Sequence, residues 1–284
     1  MRFGRDTKVL IVGLGLMGGS YAMALTRKGY SVRAISRKQS TIDYALKHNF
    51  IEAGDTKITK ELVEWADLTV FALYPHIFVE WVEKYQDYFK SGSVITDVTG
   101  VKTPIVHKIQ GMLREDVEFI PAHPMCGREV YGIESADDRM FNGANFIVTP
   151  TEKNTENAIE LCKDLGWMLG CYHVVELDIE KHDEMIGFVS QLTHCIAISL
   201  MTCNETEHLE RYTGDSFRDL TRIANINDEM WSELFIENKG PLLEQMEMFE
   251  KQFNALKDMI KDEKREEMRG VMKRSTERRK LFDK

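Results

Sequence analysis

Lys8–Gly18 reads KVLIVGLGLMG. Lys8–Gly13 is a near-continuous apolar run, the pattern of a strand in a parallel sheet covered on both faces. The glycines at 13, 15 and 18 fit G-x-G-x-x-G. Alone that spacing is a weak signal. Here it follows a strand and opens a helix, Met17–Lys28, that ends at Gly29, and a second strand, Tyr30–Ser36, comes next. Gly13 suits the tight turn, Gly15 a close backbone approach to a pyrophosphate, and Gly18 tight packing of helix on sheet. Leu16 and Met17 then stand where free N–H groups and the helix dipole meet phosphate.

Outward from this stretch the same rhythm continues. Thr41–His48 reads as a helix and Leu68–Tyr74 as a third strand. Pro75 marks a helix start before His76–Phe89, and the strands Ser93–Val98 and Val117–Ala122 follow, with a helix between them. This alternation predicts a Rossmann-type, doubly wound, mostly parallel α/β sheet. Phe146–Thr149, a helix Glu156–Met168 and Tyr172–Glu176 read as one more βαβ unit extending that sheet. After Leu177 the β signal ends. Ile179–Glu207 reads as one long apolar helix and Gly240–Lys280 as one or two charged ones. The expected organisation is a dinucleotide-binding domain over 1–177 and an all-helical substrate and dimerisation domain over 178–284. No Pro/Gly/Ser-rich linker separates them, so close packing is expected.

A 284-residue chain with 43% hydrophobic residues has the material for a full core. Its net charge of −9 argues against an electrostatic grip on nucleic acid or an anionic membrane. Met1–Thr7 is short and charged, unlike a signal peptide, and no run is read as reaching the roughly 18 apolar residues of a membrane span. Five cysteines, with no CxxC pair, predict neither a disulfide framework nor a metal site, and a cytoplasmic location follows.

The end of the second strand bears on cofactor choice. NAD enzymes of this type place an acid there for the ribose 2′-hydroxyl. This chain has Ser36-Arg37-Lys38 instead, a set suited to a 2′-phosphate, so NADP is expected over NAD. Leu73 and Tyr74, closing the third strand, complete the expected cofactor-binding set.

His123 lies just past a strand, at the carboxyl edge where open α/β sheets bind ligands, between Pro121 and Pro124. Its imidazole suits the base that hydride abstraction from an alcohol requires. Asp183, Gly187, Gln191 and His194 recur at helical spacing, so a polar stripe runs along an apolar helix and suggests a buried site.

Taken together, GLGLMGGS, DVTGVK (Asp97–Lys102), AHPMCGRE (Ala122–Glu129), HDEMIGFVSQLTH (His182–His194) and FRDLTRIA (Phe217–Ala224) resemble the prephenate/arogenate dehydrogenase family. The resemblance runs in order from about residue 8 to 240. It implies oxidative decarboxylation of a cyclohexadienyl substrate, giving 4-hydroxyphenylpyruvate from prephenate or tyrosine from arogenate, with no metal. It puts the catalytic histidine on His123. Where the family more often has a serine beside that histidine, this chain has Gly100, and Thr99 is the expected substitute hydroxyl. The resemblance also implies substrate contacts from Gln191, where the family commonly has histidine, and from His194. Glu129 falls at the site entrance, His182 belongs to the pattern, and Arg222 is the carboxylate-binding arginine. Asp219, three residues earlier, is placed to orient Arg222, and Trp231 to pack nearby.

Two other readings compete with this one. The β-hydroxyacid dehydrogenases share the GLGxMG opening but use a lysine on the interdomain helix, and His182–His194 has none. A catalytically silent NADP sensor would not require His123, His194 and Arg222 together. No carboxylate is evident for an ammonium, which favours prephenate over arogenate. The apolar helix 179–207 calls for cover, so a homodimer through the helical domain is expected. The chain length leaves little room for a further regulatory domain.

Overall fold

The computed structural model describes Gly4 and residues 6–282; part of the N-terminal stretch Met1–Thr7 therefore lies outside the described residues. In the first half, β1 (Lys8–Val12), α1 (Leu16–Arg27), β2 (Ser31–Ile35), α2 (Gln39–Lys47) and β3 (Ala53–Asp55) follow in turn. After them come α3 (Lys60–Glu64), β4 (Leu68–Phe71), α4 (Pro75–Tyr85), β5 (Val94–Asp97), α5 (Thr103–Met112) and β6 (Glu118–Phe119). The six strands form one parallel sheet in the order β3-β2-β1-β4-β5-β6. That order reverses direction between β1 and β4, where such sheets open a ligand crevice at their carboxyl ends.

Strand alternation divides the core between the two faces of the sheet. Val9 and Ile11 of β1 join Tyr21 and Leu25 of α1 and Ile42 of α2. Leu10 and Val12 face the other way, into Phe78 and Val82 of α4 and Ile105 of α5. Both faces of β1 are dry, which is why its sequence is apolar throughout rather than alternating.

The expected continuation of this sheet is corrected. β7 (Ala122–Met125), β8 (Asn145–Val148) and β9 (His173–Glu176), with α6 (Glu156–Leu169) between the last two, form a separate three-stranded sheet. β7 runs antiparallel to β8, and β9 parallel to it. The single predicted strand Val117–Ala122 is thus split. Ile120 still donates to Ile95 O, but Pro121 has no N–H, and its carbonyl instead accepts from Thr149 N at 2.9 Å. The chain changes sheets there, three residues before Pro124.

Beyond β9 the chain is helical: α7 (Ile179–Ile186), a π segment (Gly187–Leu192), α8 (Thr193–Thr202), α9 (Asp215–Thr221), α10 (Asp228–Glu237), α11 (Lys239–Lys261) and α12 (Arg265–Arg279). The predicted helix 179–207 therefore ends at Thr202 and carries a π insertion. With α7 and α8 it spans 24 residues and contains an 18-residue window apolar enough to cross a membrane by length and composition. This corrects the expectation that no run reaches that length. The same helix buries His182, Asp183 and Gln191 against its neighbours, an arrangement that belongs to a packed interior.

Candidate active site

The glycine loop is shaped for close approach. Gly13 has φ +98°, and a Cβ there would lie 2.4 Å from Ala72 O; one at Gly18 would lie 1.8 Å from Gly13 O. Neither position admits a side chain, so β1, α1 and the end of β4 meet at backbone distance. Gly15 caps α1 with no side-chain hydrogen bond, leaving the first N–H groups at Leu16 and Met17 open. Leu73 lines the same junction. Ser36 follows β2, its N–H held by Asp55 O, while Arg37 and Lys38 are exposed beside it. These residues make a cradle that fits a dinucleotide: a bare helix N-terminus for the pyrophosphate and cations at the ribose end.

Tyr74 caps α4 and touches the helical half as well. Its hydroxyl accepts from Asn227 Nδ2 at 2.8 Å, and the next turn's His76 bonds Glu233 through both N–H (2.8 Å) and Nδ1 (2.8 Å). α10 is thereby strapped across the start of α4. Sequence reading missed this helix, although Met230, Trp231, Leu234 and Phe235 recur at helical spacing and Asn227 is placed to cap it.

His123 sits on β7, half-buried. Its Nδ1 lies 2.9 Å from His182 Nε2, and His182 Nδ1 lies 2.8 Å from Asp183 Oδ1. Asp183 in turn accepts from Lys102 N (2.8 Å) and Thr103 N (2.7 Å), at the start of α5. Burial, then the neighbouring His182 and Lys102, push the His123 imidazole well below its ordinary value, so it is neutral near pH 7. Burial likewise lowers His182. Beneath them, Lys102 Nζ is fully buried against Asp97 Oδ2 (2.7 Å) and Ala122 O (2.6 Å), fixing the strand that carries His123.

Two expected site residues are turned elsewhere. Thr99 Oγ1 donates to Asp97 Oδ2, and its N–H donates to the same oxygen, so the hydroxyl belongs to the buried Asp97–Lys102 cluster and not to His123. A Cβ at Gly100 would instead stand beside the imidazole, 4.0 Å from His123 Cε1 and in ordinary contact with Leu234 Cδ1 at 3.6 Å. Gln191 is 1% exposed and both ends of its amide are engaged: Nε2 donates to Leu234 O, and Oε1 accepts from Asn238 Nδ2. It locks α10 and α11 onto the interdomain helix, with both amide atoms held inside the packing. The polar stripe thus divides between neighbours: Asp183 meets α5, Gln191 meets α10 and the start of α11, and His194 meets Trp231 of α10.

His194 stacks on Trp231 with ring centroids 3.7 Å apart, and its Nδ1 donates to Ser190 O. Burial pulls its imidazole down. Arg222 pairs with Glu129 at 2.5 Å, its side chain 65% exposed. Asp219 is exposed, and Arg222 is bonded to Glu129 in its place. The Arg222–Glu129 pair closes one side of the cleft between the two halves, with Arg222 and Glu129 both near enough to His194 to act on its charge.

Known proteins with this arrangement are extensive matches. Residues 21–174 match the family described as prephenate dehydrogenase, nucleotide-binding domain, and residues 178–274 that described as prephenate dehydrogenase, dimerization domain. The prephenate dehydrogenase of Bacillus subtilis is 28% identical over 273 residues, 93% of this chain and 72% of the relative. The cyclohexadienyl dehydrogenase of Zymomonas mobilis is 26% identical over 264 residues, 89% of this chain and 88% of the relative. The crystal structure of prephenate dehydrogenase from A. aeolicus, in complex with hydroxyphenyl propionate and NAD+, superimposes with a TM-score of 0.91 at 30% identity, covering 99% of this chain and 100% of that one. With both halves matched in order, and with one fold shared from end to end, this chain belongs to the prephenate dehydrogenase family.

Proposed function

We propose that this chain oxidises and decarboxylates prephenate with NADP, as a cytoplasmic homodimer divided near Leu177 into a dinucleotide-binding and a helical substrate domain. The observation that carries the reading is His123. Neutral and half-buried, it sits on β7, just after the carboxyl end of β6, in a chain that also carries a glycine loop shaped for pyrophosphate and an Arg222–Glu129 pair joining the two halves.

The cofactor, when bound, supplies the hydride acceptor. His123 takes the proton of the substrate 4-hydroxyl as hydride leaves the same ring carbon. The ring carboxylate then departs as CO2, its bonding electrons completing the aromatic ring. Arg222 bonds Glu129 through Nη1 and is placed to hold a substrate carboxylate with its remaining N–H groups, and His194, braced on Trp231, offers Nε2 to the cleft. Thr99 and Gln191 act one layer back, through the Asp97–Lys102 cluster and through α10. Asp219 has no role in this scheme.

Prephenate is favoured over arogenate because Glu129, the carboxylate beside the substrate-binding arginine, stays paired with Arg222 and so is not available to an ammonium group. NADP is favoured because Ser36, Arg37 and Lys38 stand where an acid would select the 2′-hydroxyl; the A. aeolicus relative was solved with NAD+. Titration of the two cofactors tests this. NADP is expected to bind more tightly by about 1–3 kcal/mol, the range of one or two charge-assisted bonds, and Arg37→Asp to reverse the order. Equal or tighter NAD binding by the unaltered protein contradicts it. A kcat/KM on arogenate above that on prephenate would transfer the assignment to the amino substrate.

A further inference from the structure

We propose that His182 and Asp183 are positioning residues that hold His123 as one tautomer, its proton on Nδ1 and an unshared pair on Nε2. The inference rests on the reading of His123 as the base.

The chain of bonds leaves no other assignment. Asp183 accepts two backbone N–H bonds, from Lys102 and Thr103, and is held below the usual carboxylate range, with burial opposed by its hydrogen bonds from His182 and Thr103. An ionised carboxylate only accepts, so His182 Nδ1 must donate to Asp183 Oδ1 across their 2.8 Å. His182 is neutral, so its Nε2 carries the lone pair and can only accept. The 2.9 Å contact is then a donation from His123 Nδ1. His123 Nε2 is left unprotonated, and among the described residues nothing donates to it. A histidine in water favours the reverse tautomer, with its proton on Nε2, which cannot serve as a base through that nitrogen.

Two consequences follow from where these residues sit. His123 comes from β7, whereas His182 and Asp183 come from α7 in the helical half. The base is therefore set only when the two halves are docked. Asp183 caps the start of α5 with both oxygens, so the far end of the relay cannot rotate away. When the substrate hydroxyl gives its proton to Nε2, the resulting imidazolium keeps its Nδ1–H bond to His182, and Asp183 steadies the charge without being protonated itself.

Nitrogen-15 NMR of histidine-labelled protein, free of substrate, reads the tautomer directly from couplings between ring nitrogens and carbon-bound protons. His123 protonated on Nδ1 and bare on Nε2 is the expected result; a proton on Nε2 overturns the proposal. Two substitutions separate positioning from packing. His182→Gln keeps a carbonyl acceptor at the reach of Nε2, whereas His182→Leu fills a similar space with none. Gln should retain kcat within about threefold, and Leu should lose on the order of tenfold or more, the rate equivalent of one oriented hydrogen bond, with cofactor affinity unchanged and the His123 proton moved to Nε2. Leu retaining activity while Gln loses it marks a packing role and overturns the proposal, as do equal losses with an unchanged tautomer. If His182→Leu does not fold, the unaltered protein and the Gln variant still decide. The expected tautomer in a protein that turns over neither prephenate nor arogenate would overturn the assigned reaction and leave the relay standing.

Discussion

Near neutral pH His123 carries no charge, and that follows from where the chain puts it. Burial disfavours the imidazolium, and the Lys102 ammonium beneath adds to the effect. A base must be unprotonated to work, so a lowered pKa moves the acid limb of kcat/KM below the pH 6.5 of a free histidine. Activity should be level from pH 7 upward and fall only at lower pH; a limb centred at or above 6.5 would contradict the burial argument. His123→Asn should lower kcat at least roughly a hundredfold and abolish that limb, with cofactor affinity little changed in a binding titration. His123 was legible in the sequence from its flanking prolines and its place after a strand. Its partners were not. His182 and Asp183 lie about sixty residues away in the chain, and pairing across two domains leaves no trace in local spacing. Thr99 and Gln191 misled for the same reason, since a polar side chain on the right element can turn either toward a cleft or into the packing behind it.

Among the elements, α10 matters most to how the halves are joined. It bonds the start of α4 through Glu233 and Asn227, braces His194 with Trp231, and receives Gln191 at its end. At its last residue it presents Glu237, whose Oε2 is buried with no hydrogen-bond partner among the described residues. Burial first, then Glu233, push this carboxyl up to about 7, with His76 and Lys108 pulling the other way and Asp183 adding to the rise. A carboxyl whose folded pKa is raised contributes stability while protonated, and that contribution is lost as pH rises from about 4.5 through about 7. Glu237→Gln, which stays neutral, should therefore raise Tm at pH 8 and leave it nearly unchanged at pH 5. No gain at pH 8 would mean that water reaches the carboxylate. Strands β1, β4 and β5 were readable because they are covered on both faces and read as largely apolar runs, and β2 from its alternation of Val32 and Ala34 with Ser31 and Arg33. α10 was missed although Met230, Trp231, Leu234 and Phe235 share one face, because ten residues with a partly acidic face give a short signal and its anchoring hydrogen bonds to α4 come from residues about 150 positions away. The extra sheet β7-β8-β9 escaped for a different reason: a βαβ pattern fixes local order but not which sheet edge it joins, and Pro121 decides that.

For the molecule as a whole, the helical half leaves apolar surface uncovered. Met246, Phe249, Phe253 and Ile260 are spaced by three, four and seven along α11, one face of the helix, and Phe253 and Ile260 are each 60% exposed. Phe188 and Val189 of the interdomain helix are half-exposed as well. Surface of that kind is ordinarily closed by a second copy, and residues 178–274 match a dimerization domain. Sedimentation should give twice the 32.8 kDa chain mass, and Phe253→Glu should shift the equilibrium toward the monomer. A stable, active monomer would count against this face as an interface. The reaction itself is tested most directly by its stoichiometry. With prephenate and NADP, the account predicts NADPH, CO2 and 4-hydroxyphenylpyruvate in equal amounts, at a rate that collapses in His123→Asn. NADPH formed without CO2, or no NADPH from prephenate at all, would contradict it.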